Sequence, residues 1–283
     1  MSTRFCLAAA AIAVTTGCAL AADLPSRKAP EPIAAPAPPA IWTGFYAGVN
    51  AGYAFQSDSS LALSSVSLSP LAPIIAWAAE ANGAFPAGSD GFIGGGQAGY
   101  NFQLGNFVLG FEADFQGIAA GGGGSSAFVA APFGANTFFS QNTASQSLDY
   151  LGTARGRVGY LLTPTLLLYG TGGLAYGGAR TSASVFQFSA ANGFFGGGST
   201  SASDLLVGWT AGGGAEWKFD RNWSVKLEYL YYDLGRLERD FILVRPAGPF
   251  AASHTSARFD GHIARVGVNY HFDFGPAPVL ARY

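Results

Sequence analysis

Ionisable side chains are scarce in this sequence, and where they occur they alternate with apolar ones. Asp, Glu, Lys and Arg make up 11% of the 283 residues, against about 25% in an ordinary globular domain. Glu112, Asp114, Asp149, Arg155, Arg157, Glu216, Lys218, Lys226, Glu228 and Arg265 all stand on the parity opposite an apolar one. Acids and bases are equal in number in this set, so on one enclosed face they would neutralise one another, whereas burial without pairing would be prohibitive. The chemistry this predicts is a structural ion-pair network. The other use of the same groups is a narrow ion path through rearranging arginine and carboxylate pairs.

Catalysis needs a constellation that these residues do not form. The histidines are His254, His262 and His271, scattered along the last segment, and Asp260 with His262 makes at most a dyad awaiting a serine in a serine-rich chain. Both cysteines, Cys6 and Cys18, fall in the first 21 residues, so thiolate metal sites, disulfides and cysteine nucleophiles are excluded once that segment is removed. The glycine runs Gly121 to Gly124 and Gly196 to Gly198 lack the strand-to-helix setting and lysine of a phosphate loop. No enzyme, no metal site and no nucleic-acid partner is expected.

The elements that must position the charges follow from the apolar residues. Half the chain is hydrophobic, at 49%, yet beyond the start no apolar run of about 20 residues suits a spanning helix. Residues 1–21 read as a signal peptide, with Arg4 in front, an apolar stretch to Leu20, and Ala19-Leu20-Ala21 as the cleavage signal. Residues 22–41 read as a Pro/Ala-rich extended linker, a tether that could touch the wall polymer (peptidoglycan) through Arg27 and Lys28. From Trp42 the chain alternates with the period of two that a strand sided between two environments requires. In one segment Phe107, Leu109, Phe111, Ala113 and Phe115 interleave with Glu112, Asp114 and Gln116. In the last, Ala264, Val266, Val268, Tyr270 and Phe272 oppose Arg265, Asn269 and His271.

Eight such segments are predicted, in residues 42–274, followed by a tail at 275–283. Their links alternate between short turns, at 103–106, 162–165 and 220–222, and loops of 20 to 35 residues, near 56–90, 118–147, 179–204 and 234–257. This sorting predicts an all-β fold: an eight-stranded antiparallel transmembrane β-barrel with short periplasmic turns and four long extracellular loops. Leu61 to Leu68 and Val185 to Ser189 lack girdle aromatics and read as extensions above the membrane; as extra spanning strands they would widen the barrel. Aromatic residues collect at two levels, Phe45, Phe102, Phe107, Tyr160, Trp217, Trp223 and Tyr270 below and Tyr53, Phe92, Phe115, Tyr150 and Tyr231 above, as rings do at headgroup depth. An eight-stranded interior is only wide enough for side chains to fill, so an apolar or wide bore is not expected. In the fourth loop Arg236, Arg239 and Arg245 could contact lipopolysaccharide phosphates, set against a salt-bridged strand extension.

The sequence resembles the small outer-membrane barrels of alphaproteobacteria, the outer-membrane immunogenic or OmpA-like porin family. The likeness rests on Ala22-Asp23-Leu24-Pro25, Trp42-Thr43-Gly44-Phe45-Tyr46, the run Gly152 to Tyr160, the run Tyr169 to Tyr176, and Arg265 to Tyr270. It implies a surface antigen in the outer membrane of a Gram-negative envelope. Alternate apolar residues ending in Ala264, Val266, Val268, Tyr270 and Phe272 look like the signal read by barrel-assembly machinery. The expected function is a structural or surface-interaction barrel with a charge-paired, largely plugged lumen, the alternative being a small porin. The family includes haemin-binding surface proteins, which would make His254 the candidate haem ligand, with no other cofactor implied.

Overall fold

A computed structural model of the protein describes residues 41–57, 60–70, 81–86, 90–120, 123–133, 136–189 and 193–272. The expected signal peptide, nearly all of the linker and the tail lie outside the described residues. The elements are β1 (Gly44–Gln56), β2 (Ser60–Ser67), β3 (Gly83–Pro86), β4 (Gly91–Leu104), β5 (Phe107–Ala120), β6 (Gly123–Phe133), β7 (Asn136–Thr163), β8 (Leu166–Ser189), β9 (Phe194–Lys218), β10 (Trp223–Arg245) and β11 (Gly248–His271). They form one antiparallel sheet in the order β1-β4-β5-β7-β8-β9-β10-β11-β2-β3, with β6 on β7 and β1 also paired to β11.

This corrects the expectation of eight strands and four long loops: among the described residues the sheet has eleven strands. Most of what the sequence assigns to loops is strand. Residues 118–147 finish β5, form β6 and begin β7, which are paired from Gly123↔Gln146 to Phe133↔Asn136. The segments 179–204 and 234–257 extend β8 into β9 and β10 into β11, with pairing up to Ser189↔Phe194 and Arg245↔Gly248. The additional strands arise because β2 continues along β11 from where β1 leaves it. The partners of β11 are Gln56 to Tyr46 for Gly261–His271 and Ser67 to Leu61 for Ala251–Ala257. Likewise β7 meets β5 over Tyr150–Tyr160 and β6 over Asn136–Gln146. The segments 118–147 and 179–204 are dominated by Ser, Thr, Ala and Gly, so their period of two is faint in the sequence, whereas 234–245 carries charged and large apolar residues on both parities. Strands of 23 to 28 residues result in β7 to β11, where about 9–11 suffice to cross a bilayer.

The two faces of the sheet are inverted relative to a water-soluble protein. Phe92 is 71% exposed and Leu227 63%, whereas Arg155 is fully buried and Arg265 1% exposed. An apolar outer face and a charged inner one is the arrangement that hydrocarbon outside imposes, since apolar rings gain nothing from burial there and charges must be enclosed. The exposed aromatics pair across strands at two levels: Phe45 with Tyr100, Phe107 with Tyr160 and Trp223 with Tyr270 at one, Tyr53 with Phe92, Phe115 with Tyr150 and Trp209 with Tyr231 at the other. Phe45 and Tyr53 are eight residues apart on β1, about 27 Å along a strand, close to the apolar band of an outer-membrane sheet.

One faced assignment fails for a local reason. Between Leu148↔Ala179 and Leu151↔Gly177 strand β7 carries one residue more than β8. A bulge of this kind reverses parity on one side of itself. Leu148 and Leu151 are therefore both buried, and Asp149 points outward.

The inner face changes character along the strands. The part level with the outer apolar belt is polar; beyond it lies an apolar core of Leu61, Leu63, Phe85, Phe138, Leu148, Leu151, Leu230, Leu237, Phe241, Leu243, Phe250 and Phe259, among others. The sequence reading anticipates only the polar part.

Candidate functional site

The charged site is assembled by register. On β5 and β7 Glu112 stands opposite Arg155, on β10 and β11 Glu228 opposite Arg265, and on β9 and β10 Glu216 opposite Lys226, so each cross-strand neighbour brings the complementary charge. Arg155 lies at the centre. Its Nη2 donates to Glu112 Oε1 at 2.6 Å and Asp114 Oδ2 at 2.9 Å, and its Nη1 to Glu228 Oε1 at 3.1 Å. Arg265 donates from Nη2 to Asp114 Oδ2 at 2.8 Å and from Nε to Glu228 Oε2 at 2.7 Å. Lys226 Nζ reaches both oxygens of Glu112, at 2.7 and 2.8 Å.

A second knot surrounds Glu216. It accepts from Arg157 Nη2 at 2.7 Å, Ser224 Oγ at 2.6 Å and Asn269 Nδ2 at 2.9 Å, and His271 Nε2 is 3.4 Å away. Tyr46 joins the knots, its hydroxyl donating to Glu112 Oε2 at 2.6 Å and accepting from Arg157 Nη1 at 3.1 Å. The Arg157 guanidinium also lies over the Tyr169 ring, 4.0 Å from its centre, a desolvated cation–π contact. Glycine makes room for this: a Cβ on Gly99 would stand 2.5 Å from the Tyr46 hydroxyl, and one on Gly52 would stand 2.6 Å from Arg265 Cβ.

Of the ten charges singled out in the sequence, Glu112, Asp114, Arg155, Arg157, Glu216, Lys226, Glu228 and Arg265 are thus brought together. Lys218 sits lower, donating to the carbonyls of Ile41 at 2.9 Å and Arg221 at 3.4 Å. Asp149 is the correction: the β7 bulge turns it outward, where it bonds Arg180 at 3.0 Å.

Sequence reasoning missed the floor of the site. Trp42 is fully buried, its Nε1 donating to the Pro164 carbonyl at 2.9 Å and its backbone N–H to Gln103 Oε1 at 3.2 Å. It clusters with Val108, Leu161, Leu167 and Tyr169, its ring edge meets His271, and the Lys218 ammonium lies 5.2 Å from its centre. The signal was the tryptophan just ahead of β1, at odds with a lipid-facing girdle role.

On the outer face, beyond the second aromatic level, arginines gather. Arg236 and Arg258 are cross-strand partners, both outside the bulge that Gly235, with φ of 85°, introduces into β10. Arg258 Nη2 donates to Asp233 Oδ2 at 2.6 Å and its Nε lies 3.6 Å from Asp260. Burial works against the Asp233 carboxylate, but the Arg258 bond and the Gly235 N–H outweigh it and lower its pKa. Arg239 instead pairs with Asp204, and Arg245 is at the far tip of β10, fourteen residues past Tyr231, about 45 Å along the strand. The expected trio Arg236, Arg239 and Arg245 is therefore not one patch.

The histidines are each engaged. His254 Nδ1 is 2.7 Å from Asp240 Oδ1, and His262 Nδ1 is 2.7 Å from the Tyr229 hydroxyl, while the neighbouring Asp260 accepts from Tyr231 at 3.1 Å. The dyad of Asp260 and His262 is not formed. Among the described residues no group of three or more His, Cys, Asp or Glu could hold a metal ion. The strand-end residues Ala264, Val266, Val268, Tyr270 and Phe272 all lie on the outer face.

An antiparallel sheet with its apolar side out and its charges enclosed defines an outer-membrane β-protein. The chain belongs to the outer membrane protein beta-barrel domain family, whose model matches residues 9–272. It is 36% identical over 259 residues, 90% of this chain and 93% of the relative, to the 31 kDa outer-membrane immunogenic protein of Brucella melitensis. With the 22 kDa outer membrane protein of Rhizobium leguminosarum it shares 31% identity over 182 residues, 64% of this chain and 67% of that one. The solved structure of OprG from Pseudomonas aeruginosa covers 81% of this chain and 97% of its own at 10% identity, with a TM-score of 0.40. The protein is located in the outer membrane of a Gram-negative envelope and is related to outer-membrane immunogenic proteins. The expected eight-stranded barrel with a plugged lumen and its porin alternative give way to an outer-membrane, surface-associated protein built on a sheet of eleven strands among the described residues.

Proposed function

We propose that this protein is a surface protein held at the outer leaflet by lipopolysaccharide, through an arginine collar just beyond its upper aromatic level. The observation that carries this is the cross-strand pair Arg236 and Arg258, two like charges set opposite one another. Such a pair is destabilising by itself; Asp233 and Asp260 offset it from the Arg258 side, and a phosphate adds its charge on the solvent side, where Arg236 is exposed. Arg180 lies four residues past Tyr176 on β8, its side chain 61% exposed beside Asp149. Asp233 and Asp260 orient Arg258 without covering it, since its side chain remains 39% exposed. Of the three arginines singled out in the sequence Arg236 is retained and Arg258 and Arg180 are added; Arg239 is left out because it shares the parity of the buried Leu237 and Phe241, and Arg245 because it lies at the far tip of β10.

Insertion by the barrel-assembly machinery is part of the same reading, supported by the outward-facing alternate residues from Ala264 to Phe272 at the end of β11. The linker, with its wall contact, is retained as a proposed tether.

Binding of the refolded protein to lipopolysaccharide, measured by calorimetry with intact and with dephosphorylated lipid A, tests the collar. Arg236→Ala with Arg258→Ala should weaken binding to the intact form about tenfold or more, each charge-assisted contact contributing about 1.5–3 kcal/mol before solvent competition. Equal affinity for both lipid forms would overturn the proposal.

A further inference from the structure

The wall formed by the long strands has one unpaired stretch. Strands β8 and β9 pair without interruption from Leu166↔Trp217 to Ser189↔Phe194, and β10 follows β11 through two bulges to Arg245↔Gly248. Strands β9 and β10 pair from Ser224↔Lys218 to Asp233↔Trp209 and then meet again only at Val244↔Gly197. Between these points no register pairing joins 198–208 of β9 to 234–243 of β10, although Gly208 still lies against the backbone of Asp233 and Leu234 and Gly198 against that of Ile242. The cause lies in β10. Its bulge after Asp233 and the left-handed Gly235 keep it in register with β11 and break its register with β9.

Backbone groups along such an edge require water or another partner. The β9 side supplies small polar residues there, Ser199, Thr200, Ser201 and Ser203, of which 199, 201 and 203 are exposed. Behind the gap is the apolar core: Leu206 packs against it from β9, and Leu234, Leu237 and Phe241 line it from β10. One ion pair spans the middle of the gap, from Arg239 to Asp204. Both partners are about two-fifths exposed, and an ion pair so exposed is readily exchanged for water.

We propose that the β9–β10 seam is a latched lateral opening in the wall, closed by Asp204 and Arg239, through which the apolar core above the charge network becomes accessible when the latch parts. Pairing at Asp233↔Trp209 below and Val244↔Gly197 above limits the opening to the stretch between them. The other long interfaces, whose ladders are interrupted only by bulges, remain shut.

A single reporter thiol can test this, because Cys6 and Cys18 are the only two cysteines. In the full chain with both changed to Ser, the thiol is placed at Ala202→Cys, buried on β9 at the seam, or at Ala144→Cys, buried on β7 between two continuous ladders. Labelling by a charged maleimide is followed in refolded protein. Asp204→Asn should speed labelling at the Ala202→Cys thiol about fivefold, the size an exposed ion pair commands, with the Ala144→Cys thiol unchanged. The charge swap of Asp204→Arg with Arg239→Asp should restore protection. Equal acceleration at both thiols would mean general loosening, and no acceleration at Ala202→Cys would mean that the ion pair holds nothing; either overturns the latch.

Discussion

Arg155 touches three carboxylates while fully buried, so single changes around it strand charge with no water to receive it. Changing Glu228 to Gln removes the charge that faces both Arg155 and Arg265, and should destabilise the protein by about 3–5 kcal/mol, read from the urea midpoint of the detergent-folded form. Asp149→Ala should cost less than about 1 kcal/mol, since its partner Arg180 is exposed. Equal losses for the two would place Asp149 in the network after all. Trp42→Ala should cost about 3–5 kcal/mol by emptying the floor, and its fluorescence should report the loss of a buried ring. At Asp233 the lowered pKa means that the Arg258 contact contributes stability above the ordinary carboxylate value of about 3.9, a contribution lost as pH falls through the lower folded value. The stability difference between wild type and Arg258→Ala should then be present at about pH 6 and vanish in strong acid. Most of the charge set was legible because alternation survives at Glu112, Asp114, Glu216, Lys226 and Glu228. Asp149 was not, because a bulge leaves no mark on a sequence of this kind.

At the level of elements the β7 bulge sets which side chains share a face. Deleting Asp149 straightens the strand while leaving Leu148 and Leu151 with their present partners on β8, so folding yield should be largely kept. Deleting Thr153 instead shifts the charged half of β7 by one residue and turns Arg155 outward, and should abolish refolding, measured by heat-modifiable gel mobility. Strands β1, β4 and β5 were legible from large apolar residues recurring on one parity. The far halves of β7 and β9 were not, and that of β8 only at Val185 to Ser189, read as an extension above the membrane. Ser182, Ala183 and Ser184 carry little hydropathy contrast, and their strand character comes from neighbours that pair with them.

For the molecule as a whole, strands of 23 to 28 residues carry the sheet well beyond the apolar belt. The paired segments 123–133, 136–146 and 179–189 should therefore resist proteinase K on intact cells; rapid cutting throughout 136–146 would mean the ladder between β6 and β7 is not kept. The outer-membrane location was determined by the sequence alone, since only hydrocarbon on one side explains alternate exposed Phe and enclosed charge with no long apolar run. So was the pairing of opposite charges for most of the set, because acids and bases enclosed on one parity must neutralise one another. The tertiary structure decided the strand number, the outward turn of Asp149, the burial of Trp42, the apolar core beyond the charges and the unpaired seam between β9 and β10. Each of these depends on which backbone lies beside which, and a period of two in one strand carries no information about the register of the next.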